Sequence, residues 1–362
     1  MTHRRRMIDT LLGRSVDRVP FGVGFGPWGQ TLQQWREESG ISDLDPATYF
    51  GYDPDFLPVP VTPEYGPFPR FEERVLKEDA EFVVFTDSRG ITMRNRRDGL
   101  SMPEFIRHPI QTPADWERYK AERLQPRLAE RLHNLDESLQ AAQSSQAGIQ
   151  VGRYPWGVFG TARDLMGAEE LLISFYTQPE LVHDIMKTNV DLWLAIYEKI
   201  AEKVQIDHVH IWEDMSGKQG SLISMAMVEE FMMPHYDRIA DFVRRHNIPL
   251  FSVDTDGNCD ELIPVFMRHG VNVMFPFEVQ AGSDIERYRD LYPTLGMLGG
   301  LDKNALAKTK KEMNRELARA ERMLAKGRYV PGCDHLIPPN VPWTNWKYFM
   351  EALKKIIMGD QS

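Results

Sequence analysis

The chain has 362 residues, with 53 acidic and 43 basic side chains and a formal net charge of −10. A composition of 42% apolar and 27% charged residues is that of a folded globular protein, and no apolar run reaches the ~18 residues of a membrane span. The acidic balance excludes a general nucleic-acid binder, and two cysteines cannot build a disulfide framework. Leu11-Leu12 runs straight into Gly13-Arg14 instead of an apolar leader core, so a cytoplasmic location is expected.

In chain order, the pattern predicts a helix over 3–12, a strand over 19–25 and a helix over 31–38. Residues 42–69 are rich in Pro, Gly and Asp and form an unusually long connection. The segments 71–77, 81–86 and 91–96 are short, rich in Val, Phe, Ile and Thr, and separated by turn signals, which predicts a small antiparallel meander. Thr112-Pro113 opens a helix, and a charged helix is expected over 126–143. Beyond residue 148 strands alternate with helices. The strands are expected at 148–153, 206–212, 248–253, 271–275, 294–298 and 327–330. The helices are expected at 161–166, 168–203, 224–246, 259–269, 283–291, 303–326 and 343–357. Such alternation indicates a parallel sheet. With 19–25 it supplies seven strands where a TIM (β/α)8 barrel needs eight, and the missing one is sought within 50–147. The reading adopted is one barrel domain over 1–362, with loops, meander and helices inserted at about 42–147. A doubly wound open sheet is the alternative.

In a barrel the residues after each strand share one open face, and that face carries the chemistry. Five consecutive strand ends here carry carboxylates: Glu213-Asp214, Asp254 with Asp256, Glu278, Asp302 and Asp334. Like charges in one cleft repel unless a cation or protons offset them. Asp254-x-Asp256-Gly257-Asn258 can converge on one cation, with Gly257 allowing a tight turn, or can instead cap the following helix. With His335 and Glu278 it forms a candidate metal site, and carboxylate plus imidazole suits zinc as well as manganese or iron. Cys333 is read as a small buried residue.

His208 and His210 alternate with apolar residues and so share one face, where His210 is either a general base or a hydrogen-bonded core residue. Glu213 and Asp214 are candidate acid–base groups, or else hold the neighbouring loop. Arg153, beside Tyr154 and Trp156, is the candidate anion clamp, or else a partner for a nearby carboxylate. Trp28, Trp156, Trp212 and Asn258 are candidate substrate contacts. Gly24-x-Gly26-x-x-Gly29 matches a dinucleotide fingerprint, but Pro27 removes a donor, Trp28 adds bulk and the expected distal acidic residue is missing. Arg94, Arg96 and Arg97 read as a solvated face.

Several segments resemble the uroporphyrinogen decarboxylase superfamily, which includes corrinoid-dependent methyltransferases. They are 155–167 (from Pro155 to Arg163 and Gly167), 212–216 (from Trp212-Glu213-Asp214), 223–234 (ending in Pro234), 299–302 (ending in Asp302) and 331–342 (with His335 and Pro338). Arg18-Val19-Pro20 and 108–115 are weaker matches. The resemblance implies a TIM barrel and, among family members, frequent homodimers. It also implies that the methyltransferases bind zinc through a His-x-Cys pair and a later Cys. Asp254 and Asp256 stand at the first pair's places and His335 at the last. The decarboxylase's arginine-bearing segment after its first strand has no counterpart at 24–28.

The first expectation is therefore a metal-dependent transferase that moves a methyl group from a small compound to a corrinoid on a partner protein. Asp254, Asp256 and His335 would hold the metal, zinc first among the candidates, and Glu213 or Glu278 would serve as proton donor or further ligand. The second is a cofactor-free decarboxylase or lyase using Arg153 with His335 or Asp214. The third is a non-catalytic barrel that binds a corrinoid or tetrapyrrole. No nucleic-acid or membrane partner is expected.

Overall fold

The computed structural model describes residues 1–53, 58–98, 102–144 and 147–359. Seven strands run parallel in one sheet: Val59–Pro60, Ile149–Val151, His208–Trp212, Leu250–Thr255, Val273–Pro276, Gly296–Leu298 and Tyr329–Val330, in that spatial order. Helices separate them in sequence and pack outside. The chain is a TIM barrel with an antiparallel meander in its N-terminal third, as the alternation and the short Val- and Phe-rich segments predicted.

Two strand assignments change places. Residues 19–25 form no strand. Pro20 and Pro27 lack a backbone donor, and three glycines lie between them, so a ladder cannot be sustained. The segment nevertheless lies in the barrel wall. Phe21 O accepts from Asp53 N at 2.8 Å, and at the other end Trp28 N donates to Ile337 O at 3.1 Å while Ile337 N donates to Gly26 O at 3.0 Å. The Asp53 carboxylate takes both Arg18 guanidinium nitrogens, at 2.7 and 2.5 Å, and Phe21 N at 3.0 Å. Conversely, Val59–Pro60 in the Pro-rich connection pairs with Ile149–Val151 and supplies the strand sought within 50–147.

The meander has four strands, Arg74–Glu78, Phe82–Thr86, Thr92–Arg96 and Glu104–Arg107, of which the last was not anticipated. Arg94 and Arg96 flank the Phe82 ring and pair with Glu104 and Asp98. Expected helix 126–143 is two pieces, Leu128–Arg131 and Leu135–Ser144, and expected 168–203 breaks at Gln178 into Ala168–Thr177 and Pro179–Ala201 because Pro179 starts a new helix. Expected helix 224–246 carries a π-turn at Val228–Met232, directly before Pro234, whose missing N–H cannot complete an ordinary turn. The helix His3–Leu11 plugs the barrel base: Met7, Ile8 and Leu11 pack on Leu250, Val273, Leu298 and Val330. Among the described residues no helix is long and apolar enough to cross a membrane.

Candidate active site

Inward-facing positions recur every second residue along a strand. On Leu250–Thr255 they bring Leu250, Ser252 and Asp254 to the interior, and on His208–Trp212 they bring His208, His210 and Trp212. The upper members of both series open into a cavity of about 820 Å³ at the C-terminal mouth. Trp212, Asp214, Asp254, Asp256 and His335 line it from the strand ends. Arg89, Met102, Phe105 and His108 line it from the inserted meander region, and Tyr154, Arg163 and Asp164 from the loop and helix after Ile149–Val151.

Three of the four cavity aspartates have a cationic partner. Asp256 Oδ2 lies 3.5 Å from His335 Nε2, and this contact raises the His335 pKa against the opposing effect of burial. The His335 ring stacks on Phe25 at 5.1 Å. Asp214 Oδ2 accepts from Arg163 Nη1 at 2.8 Å, and the Arg163 guanidinium lies 5.0 Å over the Trp212 ring. Asp164 pairs with Arg89. Asp254 is the exception. Its carboxyl takes no hydrogen bond or ion pair from a described residue, and burial, then Asp256 and Asp214, push its pKa well above the ordinary value. It therefore keeps a proton where an ordinary aspartate has lost one.

Gly257 has φ +75°, and a Cβ there would lie 2.4 Å from Ser216 O, so the tight turn after Asp256 requires glycine. Asn258 does not reach the cavity. Its side chain accepts from Asp260 N at 3.0 Å, the turn-capping role that competed with ligation in the sequence. Glu278 is also turned away: it accepts from Gly257 N at 3.0 Å and meets Lys303 Nζ at 3.3 Å, bracing the loop.

Glu213 is fully buried beneath the cavity. Its carboxylate accepts from Val158, Phe159 and Gly160 backbone N–H groups at 3.0, 2.7 and 3.1 Å, and from the Tyr236 hydroxyl at 2.6 Å. These are the orphan donors of the helix Val158–Met166, which Glu213 caps from another strand. Burial pushes its pKa up to about 7, while the four donors favour the charged form. Gly157 makes this approach possible, since a Cβ there would lie 1.7 Å from Trp212 O.

His210 lies in the barrel interior below, hydrogen-bonded to Ser252, and does not line the outer cavity. Arg153 is exposed and opens onto the interior and a side crevice, where Trp156 also lies. Trp28 spends its backbone N–H on Ile337 O and stands outside the cavity, which also removes a donor from the glycine-rich fingerprint. Sequence reasoning gave no role to Arg89, His108, Arg163 or Asp164. Arg163 and Asp164 lie within the segment 155–167 and His108 opens the weaker match 108–115, whereas nothing local marked Arg89.

The donors do not fit a metal centre as they stand. Among the described residues no three His, Cys, Asp or Glu side chains are grouped to hold an ion. Asp256 and His335 are committed to each other and Glu278 to its loop, while burial pushes the Cys259 thiol up to about 12 and the Cys333 thiol well above its ordinary value.

The model of the uroporphyrinogen decarboxylase (URO-D) family matches residues 82–356. No curated protein matches the chain. A solved structure of a methyltransferase from Methanosarcina mazei has the same fold, with a TM-score of 0.63 at 15% identity, covering 98% of this chain and 99% of the other.

Proposed function

Because the chain belongs to the uroporphyrinogen decarboxylase family, we propose that it transfers a methyl group from a small methylated alcohol, ether or amine to a corrinoid carried by a partner protein. The observation that carries this reading is Asp254, an unpaired carboxyl held protonated among aromatic and paired charged groups. A methyl–heteroatom bond breaks with its electron pair left on the heteroatom, and a proton from Asp254 received there lowers the barrier, an effect of about 10²–10⁴-fold for general acids. Asp254 then regains a proton from solvent. The acceptor supplies the electron pair of the new bond to carbon. His335 and Arg163 hold Asp256 and Asp214 in ion pairs and Arg89 holds Asp164, which leaves Asp254 as the cavity aspartate without a cationic partner among the described residues.

The volume of about 820 Å³ suits a small substrate, with the acceptor meeting it at a mouth where Met102 and Phe105 are exposed. Tyr154 and Trp212, edge to face at 4.7 Å, offer aromatic surfaces to a methyl group. Decarboxylation of a polycarboxylate is disfavoured, because both cavity arginines are already paired and four aspartates face the ligand.

The test supplies the purified protein with reduced free cobalamin and with methanol, dimethyl ether or trimethylamine in turn, and follows formation of methylcobalamin by its visible absorbance. Demethylation that Asp254→Asn lowers about 100-fold or more supports the reading. Release of carbon dioxide from uroporphyrinogen, with no demethylation of any donor, overturns it.

A further inference from the structure

The helix Val158–Met166 is closed at both ends by groups from elsewhere in the chain. Glu213 takes the orphan donors at its start. At its end the segment after the meander strand Glu104–Arg107 meets the orphan carbonyls: His108 Nδ1 lies 2.8 Å from Asp164 O, and Ile110 N donates to Leu165 O at 3.0 Å. A carbonyl oxygen only accepts, so Nδ1 of His108 carries the hydrogen. The neutral ring then has its lone pair at Nε2.

Two further contacts hold the ring. Phe105 lies against it, with ring centroids 5.8 Å apart. Gly167, at φ +89°, borders the edge that carries Cδ2 and Nε2, where a Cβ would come within 2.8 and 3.1 Å of those atoms. The missing side chain leaves that edge of the imidazole uncovered. Nε2 has no hydrogen-bond partner among the described residues, and it is not sealed from solvent.

His108 stands between two spaces. One is the outer cavity, which it lines with Phe105, Asp164 and Ala168, and the other is a polar crevice bordered by Arg107 and Asp115. The Nε2 edge lies beside Gly167, and the next residue, Ala168, lines the cavity and not the crevice. Nε2 therefore belongs to the cavity wall. The cavity so acquires two polar poles of opposite kind. The protonated Asp254 carboxyl donates and His108 Nε2 accepts, while Asp164, Asp214 and Asp256 are drawn to Arg89, Arg163 and His335. A ligand with a methylated heteroatom and nothing else meets the first pole and leaves the second to water.

We propose that His108 is a specificity-determining residue: the methylated substrate also carries a hydroxyl or N–H group, which donates to His108 Nε2 while the methylated heteroatom faces Asp254. The chemistry of this substrate rests on the methyl-transfer reading, but its binding is measurable without turnover.

The experiment gives the full-length protein methoxy alcohols with two, three or four carbons between ether and hydroxyl. Each is compared with the ether in which a methyl group replaces the hydroxyl, and with the dimethoxyalkane, which accepts but cannot donate. Binding is read from the concentration-dependent rise in melting temperature, and KM and kcat from methylcobalamin formation. At least one alcohol is expected to bind about tenfold more tightly than both of its counterparts. His108→Asn keeps a donor for Asp164 O but places no atom where Nε2 stands. It should erase the preference and raise KM for the alcohol about tenfold, with kcat within a few fold. A variant merely loosened in its fold would weaken all three compounds alike. If His108→Asn does not fold, His108→Phe, which fills the ring's space without a lone pair, takes its place. A preference that His108→Asn erases, with no methyl transfer by the wild type, supports the His108 assignment and overturns the methyl-transfer reading instead. Equal or absent binding of the alcohols, or a preference that survives the substitution, overturns the assignment even where methyl transfer is found.

Discussion

Two acidic residues that look equivalent in the sequence have opposite fates. Glu213 satisfies three backbone donors of a helix, whereas Asp254 satisfies none. Glu213→Gln keeps the shape but replaces an acceptor oxygen with a donor nitrogen facing N–H groups. It should lower unfolding free energy by about 2–3 kcal/mol in urea denaturation while leaving turnover per folded molecule within a few fold. Asp254→Asn should do the reverse: near-normal stability with activity lost. The pH dependence follows with its sign. Asp254 acts only when protonated, so activity should fall as pH rises through its elevated pKa. Stability should move the same way. The raised Asp254 pKa makes folding weaker as pH climbs above the ordinary aspartate range, and the raised His335 pKa gives stability that is complete below ~6.5 and lost as pH passes its elevated folded value. Thermal melts across pH 7–9, above the range in which the buried neutral His208, His210 and His235 add stability as pH rises, should therefore show a falling midpoint, flatter in Asp254→Asn. A midpoint that rises over that range would sink both assignments.

At the scale of elements, the convergence of Asp254, Asp256 and His335 was legible because strand-end positions follow from counting periods along the chain. The inward direction shared by His208 and His210 was legible for the same reason. The role of Arg89 was not, because it arrives on an inserted meander whose seating against the barrel leaves no local periodic trace, and the weak match at 108–115 did not say that His108 faces the cavity. For Glu213 the choice between acid–base and holding roles was not legible because its partners are backbone groups of a distant helix, and backbone donors are the same in every sequence. The wall segment 19–27 was misjudged because residues without ladder pairing can still fill a strand's place when other loops bind their free groups. The contact between Gly157 and Trp212 O joins two of these elements. Gly157→Ala should force them apart and cost about 3 kcal/mol or more, read as a lowered melting temperature. An unchanged melting temperature would show that the loop can yield.

At the scale of the whole molecule, the outer cavity balances its negative charge with its own arginines, a histidine and a proton. Dialysis against a chelator should accordingly leave activity and melting temperature unchanged. If elemental analysis instead finds stoichiometric zinc, and its removal abolishes turnover, Asp254 is a ligand and not the proton source, though methyl transfer itself would stand.

The plug helix makes the chain's first turns a part of the barrel floor. Met7, Ile8 and Leu11 stop the lower end of the tube against Leu250, Val273, Leu298 and Val330, so detaching this one helix would open the interior from below.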